Sequence, residues 1–81
     1  MTHSPTTTIG AVTLPAAAVA ELRRLVGDVD AAEADKASAA DAADAATSLE
    51  ERAAHHHDWK KARSAETEAM WRVVAHLRRY L

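Results

Sequence analysis

From residue 15 onward, the large apolar side chains recur at three- and four-residue steps: Val19, Leu22, Leu25, Val26 and Val29. That spacing puts them on one stripe of an α-helix. Pro15 suits the first turn, where its missing N–H costs nothing. Residues 16–26 are good helix formers. Gly27 stands where a helix would end in the left-handed conformation. The pattern predicts a first helix over 15–26, with a tight turn or only a kink at Gly27. Asp30 and Glu33 then have capping-box spacing for another start.

Residues 30–46 alternate Ala with Asp, Glu, Ser and one Lys, and nothing there is larger than Lys36. Propensity is strongly helical, and the smooth surface would let another helix approach closely. A solvated, low-complexity linker is the competing reading. Thr47–Glu50 and Ser48–Glu51 both have capping-box spacing. They mark a helix start after a break at 46–48, although no Gly or Pro enforces one, and a single helix over 30–81 competes. The last segment carries Trp59, Ala62, Met70, Val73, Val74, Leu77 and Leu81 on one side, flanked by Trp71 and Tyr80. Arg78 and Arg79 complement the dipole of its final turn. A regular heptad seam is not expected, because extending the Leu22/Val26/Val29 register lands on Glu33 and Lys36.

Ahead of the helices, residues 1–8 are polar and Thr-rich, which reads as a mobile tail. Residues 9–14 alternate with strand character. A lone strand is unstable, so this one must pair with another chain or stay extended. The expected organisation is a flexible or extended tail at 1–14 and a helical domain at 15–81. The fold class is all-α: a short extended segment, then two or three helices as a hairpin or small bundle, or one very long C-terminal helix.

Composition limits what this pattern can bury. The chain has 81 residues, 21 of them Ala, and no Cys. Each CH₂ missing from a buried side chain forgoes about 0.8 kcal/mol, and a domain this small is marginal on its own. No disulfide or thiolate metal site can compensate. A homo-oligomer or a larger protein partner is therefore expected to complete the core. Val19, Leu22, Val26, Trp59, Met70, Trp71, Val74 and Leu77 would carry its contacts, with the two Trp as anchors.

Charge is uneven. Residues 28–46 hold six acids against Lys36, whereas residues 47–81 hold five acids against seven bases. Such an arrangement favours the two segments lying side by side. No stretch approaches a membrane span, and no basic region followed by an apolar run marks a secretory leader. The expected location is the cytoplasm, or a virion if the chain is phage-encoded.

Candidate chemistry is sparse. His55, His56 and His57 point about 100° apart on a helix and cannot share one metal. Glu51, His55 and Asp58 lie on one face and form a weak metal-ligand set that would need help from elsewhere, His76 being the candidate. No Glu-x-x-His or His-Glu-x-x-His pattern occurs. Neither a strained nucleophile turn nor a Gly-rich phosphate loop is present. No enzyme activity, cofactor or bound metal is expected.

Val12-Thr13-Leu14-Pro15, followed by a helix bearing Leu22, Leu25 and Val26, resembles the opening of ribbon-helix-helix repressors and antitoxins. The resemblance covers about residues 8–26. It implies a dimer whose paired strands, here residues 9–14, enter the major groove. The strand offers only Thr6, Thr7, Thr8 and Thr13 to base edges, the following helical segment is acidic, and the net charge is −2. Nucleic acid is therefore the alternative partner. The leading expectation is a non-enzymatic assembly subunit, for which a small bacterial factor and a phage accessory component both fit.

Overall fold

A computed structural model shows a helical hairpin preceded by a short β-hairpin. It describes residues 6–9 and 12–81. The elements are β1 (Thr6–Ile9), β2 (Val12–Pro15), α1 (Ala16–Ala45) and α2 (Leu49–Arg78). The whole measures 64 × 22 × 17 Å. The all-α class and the hairpin alternative are both seen.

β1 and β2 pair antiparallel, with Thr6 opposite Pro15 and Ile9 opposite Val12. The single strand expected at 9–14 is instead divided, Ile9 ending β1 and residues 12–14 belonging to β2, and the two pair within the chain. Both strands pack on α1, and Leu14 is fully buried there beside Ala18. Residue 14 accordingly belongs to the folded unit, although sequence placed it in the tail. Residues 1–5 of that tail lie outside the described residues.

α1 corrects the expectation at Gly27. No turn forms there, and the helix continues through Gly27, Asp28 and Asp30 to Ala45. Gly27 faces solvent, and a Cβ built on it would meet nothing within 4 Å. The Asp30–Glu33 pair is mid-helix and caps nothing. Gly27→Ala should therefore stabilise the fold by about 0.8–1 kcal/mol, the ordinary helix-propensity difference. A rise in the thermal midpoint checks this, and a fall would show that Gly27 serves some other purpose.

The break at 46–48 is real even without Gly or Pro. Ala46 leaves the helix at ψ 138°, its N–H donating to the Ala43 carbonyl at 3.3 Å. Ser48 is extended, and its Oγ accepts from the Glu51 N–H at 3.1 Å. The Glu51 carboxylate in turn accepts from the Thr47 N–H and hydroxyl. Of the two capping boxes in the sequence, Ser48–Glu51 is the one that starts α2. Losing the Ser48 hydroxyl in Ser48→Ala should cost about 1 kcal/mol, measurable by denaturant unfolding against Ser64→Ala as control.

The two helices pack antiparallel along one seam. On α1 the inward residues are Ala18, Leu22, Leu25, Val29, Ala32, Lys36, Ala39 and Ala43. On α2 they are His55, Trp59, Ala62, Glu66, Ala69, Val73 and His76, with Tyr80 in the turn just past its end. Both runs step by four and three in strict alternation, the repeat of a coiled-coil seam. A heptad seam was not expected, because the register was read through Val26. The true register runs Leu22, Leu25, Val29, Ala32 and reaches Lys36 without breaking, since Glu66 meets it from α2 at 2.9 Å. The core this seam makes is thin. Among the described residues the buried apolar ones are Leu14 of β2 and, in the seam, Ala18, Leu25, Ala32 and Ala69, three of them alanines.

Candidate functional site

The seam takes Leu22, Leu25, Val29, Trp59 and Val73, but other large apolar residues lie beside it. Val19 and Val26 each follow a seam residue of α1, Ala18 and Leu25, by one position. Met70 and Leu77 follow the α2 seam residues Ala69 and His76 by one position. One step along a helix turns about 100° in a fixed sense. Because the helices run in opposite directions, both steps emerge on the same side of the hairpin. Further along that side, Ala40, one position after Ala39, and His56, one after His55, border one groove with Trp59.

That side, near the end where α1 begins and α2 finishes, is apolar and open. Val26 is 43% exposed, Met70 53% and Val74 39%. Val19 and Leu77 are half-buried, and Leu81 and Trp71 extend the surface around α2, both exposed. Of the eight residues predicted to make contacts, the structure brings together Val19, Val26, Met70, Val74 and Leu77, with Trp71 at their edge. Leu22 and Trp59 go elsewhere, into the hairpin's own seam. Trp59 stacks on His56 with ring centroids 5.7 Å apart, and the Arg63 guanidinium lies 5.4 Å from its ring centroid. It borders Ala40 and Ala43, the large-against-small packing expected of an Ala surface.

The opposite side is charged. Glu21, Arg24, Leu25, Arg72, His76 and Arg79 share a groove there. Arg24 donates to Glu21 at 2.6 and 3.0 Å and reaches Asp28 at 3.3 Å. The hydrogen bond from Arg24 holds the Glu21 carboxyl below its ordinary value against a smaller opposing effect of desolvation, and the charges of Arg24 and Arg79 add to the lowering. The same bond raises the Arg24 pKa. A depressed carboxylate stabilises the fold above its ordinary value, and that contribution is lost as pH falls through the lowered one.

His76 is the one buried polar side chain among the described residues, 7% exposed. Its Nε2 lies 2.8 Å from the Ala18 carbonyl oxygen, which can only accept, so Nε2 carries the proton. Tyr80 meets the same ring edge-on. His76 thereby ties the end of α2 to the start of α1, a role its sequence position did not suggest. It cannot assist Glu51, His55 and Asp58, since 21 residues of helix separate it from His55, about 31 Å. Among the described residues, no group of three or more His, Asp or Glu side chains is placed to hold a metal ion. Glu51 is engaged in capping.

Charge pairing between the helices reduces to one bridge. The other three ion pairs among the described residues, Arg24–Glu21, Arg24–Asp28 and Arg72–Glu68, lie within single helices. Lys36–Glu66 joins the one base of the acidic segment to an acid of the basic segment, the reverse of the net charges. Among the described residues no helix is long and apolar enough to cross a membrane. Comparison with protein-family models, curated proteins and solved structures finds no match to this chain.

Proposed function

We propose that this chain is a non-enzymatic interaction subunit that works by docking the side of the hairpin formed by Val19, Val26, Met70, Val74 and Leu77 against a protein surface. One observation carries the reading: Val26, Met70 and Val74 stand exposed outside the seam, on one side of the hairpin. Exposed apolar side chains gathered at one place mark an interaction site more often than scattered ones do. Trp71 at the edge is the anchor type that contributes most at interfaces. A cytoplasmic or virion-borne assembly part is the setting that suits such a subunit.

Val74→Asp tests it. The substitution puts a carboxylate in the middle of the apolar side without touching the seam, so helicity should hold. Self-association, or co-purification of a partner protein, should fall at least tenfold, since burying an unpaired charge costs more than the ~1.4 kcal/mol that a factor of ten requires. Unchanged association would sink the reading.

A second reading, DNA binding, has one feature in its favour. Arg23, Arg24, Arg78 and Arg79 crowd the end of the rod that bears the β-hairpin. It predicts a shift of mixed-sequence DNA that weakens steeply with salt. The absence of any shift at low salt would remove it.

A further inference from the structure

We infer that the charged groove on the side opposite the apolar surface is an oxyanion site, where Arg72 and Arg79 of α2, with Arg24 of α1, hold a phosphate group. The inference goes beyond the docking reading and stands apart from it, because the two sites lie on opposite sides of the hairpin. Leu25 and His76, both buried, form the floor of the groove, and Glu21, Arg24, Arg72 and Arg79 stand around it. Three guanidiniums thus share the space with one carboxylate, an excess of positive charge on a chain whose net charge is −2.

The contacts separate the guanidinium that is engaged from the two that are not. Arg24 forks onto both Glu21 oxygens, Nη2 at 2.6 Å and Nε at 3.0 Å, and its Nη1 reaches Asp28 at 3.3 Å. Arg72 approaches only Glu68, at 3.9 Å, which is beyond hydrogen-bond reach. Arg79 makes no ion pair with the described residues. Glu21 shows what the groove attracts, since the charge of Arg79 adds to the lowering of its carboxyl that the Arg24 hydrogen bond begins. The protein's own carboxylate therefore takes one guanidinium, and two more border the same space without a close acid.

That arrangement suits phosphate. Arg72 and Arg79 are two turns apart on one face of α2, about 10 Å along the axis. Between them stands Ala75, whose methyl leaves the space open. The groove measures about 240 Å³, several times the roughly 30 Å³ share of one water. A guanidinium presents a planar fork that matches phosphate oxygens. A phosphate brings three acceptor oxygens and close to two negative charges, where a carboxylate brings two oxygens and one charge. Two open forks and two charges in excess match the first better than the second. The phosphate is either free or part of a nucleic-acid backbone, and the chemistry that holds it is the same.

NMR of the arginine Nε–Hε groups in the full chain tests the inference, in titrations at fixed ionic strength with inorganic phosphate, acetate and a mixed-sequence DNA duplex. Circular dichroism checks that each variant keeps its helices. Inorganic phosphate should give saturable shifts at Arg72 and Arg79, with a Kd on the order of a millimolar because exposed charge pairs are individually weak. Acetate should not saturate over the same range. Arg72→Gln and Arg79→Gln should each weaken phosphate binding about threefold, and Glu21→Gln should tighten it about threefold by releasing Arg24 to the ligand. Arg63→Gln makes the same change of net charge outside the groove, where Arg63 lies over Trp59, and should leave the affinity unchanged. A duplex that binds more tightly at the same two arginines identifies a nucleic-acid backbone as the source, and a response to inorganic phosphate alone identifies a free phosphate. Three results overturn the inference: no saturable shift at Arg72 and Arg79 with either phosphate probe, acetate binding as tightly as phosphate, or an Arg63→Gln loss equal to that of the groove variants.

Discussion

Leu25→Ala is expected to unfold this protein at or near physiological temperature, whereas Val26→Ala, one residue along, should leave the monomer almost unchanged. Leu25 is 5% exposed and, with Leu14, is one of two large apolar side chains buried among the described residues. Truncating a buried Leu costs about 2–5 kcal/mol. Two helices can partly close over the gap, which favours the lower half of that range. For a chain of this size even 2 kcal/mol moves the thermal midpoint by about 8–16 °C. Val26 is 43% exposed, and trimming it in dilute solution should cost under about 0.5 kcal/mol. Thermal melts of the two variants at low concentration decide the register of the seam. Equal losses would place Val26 inside it, as the sequence stripe had suggested.

The second large effect concerns Lys36 and Glu66. Their side chains are 29% and 17% exposed, and they stand in the seam at positions where a coiled coil prefers apolar residues. Glu66→Ala leaves the ammonium without its partner. The cost should be about 1–3 kcal/mol, below that of a fully buried pair because Lys36 can still reach water. Lys36→Leu/Glu66→Leu should recover or exceed wild-type stability, since well-packed apolar residues often replace a buried pair without loss. A double-mutant cycle with Lys36→Ala and Glu66→Ala should give a coupling of about 1–2 kcal/mol. Additivity would show that the bridge contributes nothing and that Lys36 merely tolerates its place. The pair also explains the helices' alignment. With alanines above and below, little else in the middle of the seam distinguishes one register from its neighbours.

Much of this architecture could be read locally. Ser48 with Glu51 announced the start of α2, because a cap is a contact within four residues. Of the two readings of the Ala-rich segment the packed helix is the one seen, with Trp59 beside Ala40 and Ala43. The failures came where a residue's fate depends on something distant. Gly27 looked like a helix end because Gly so often occupies that position, but no other feature forces the chain to turn there. Lys36 looked like a break in the seam because Glu66, thirty residues on, is what makes it acceptable. Residues 6–8 look like tail because they are polar and Thr-rich, yet they form β1 with Ile9 by pairing with residues 12–15. The apolar stripe itself was half right. Its spacing merged two neighbouring ridges, one led by Leu25 that holds the hairpin together and one led by Val26 that faces outward. Periodicity cannot separate ridges that lie about 100° apart when both carry large apolar residues. The backbone of the second helix does, by choosing which ridge to cover.

The central claim is that the side of the hairpin bearing Val26, Met70 and Val74, outside the seam, is a surface for association. Thermal unfolding across about a hundredfold range of chain concentration, wild type beside Val74→Asp, tests it most directly, because association that favours the folded state raises the midpoint with concentration. The account predicts a wild-type midpoint that climbs with concentration, and a Val74→Asp midpoint that is lower, constant and reached from the same helicity. A wild-type midpoint that stays fixed and coincides with that of Val74→Asp would contradict it.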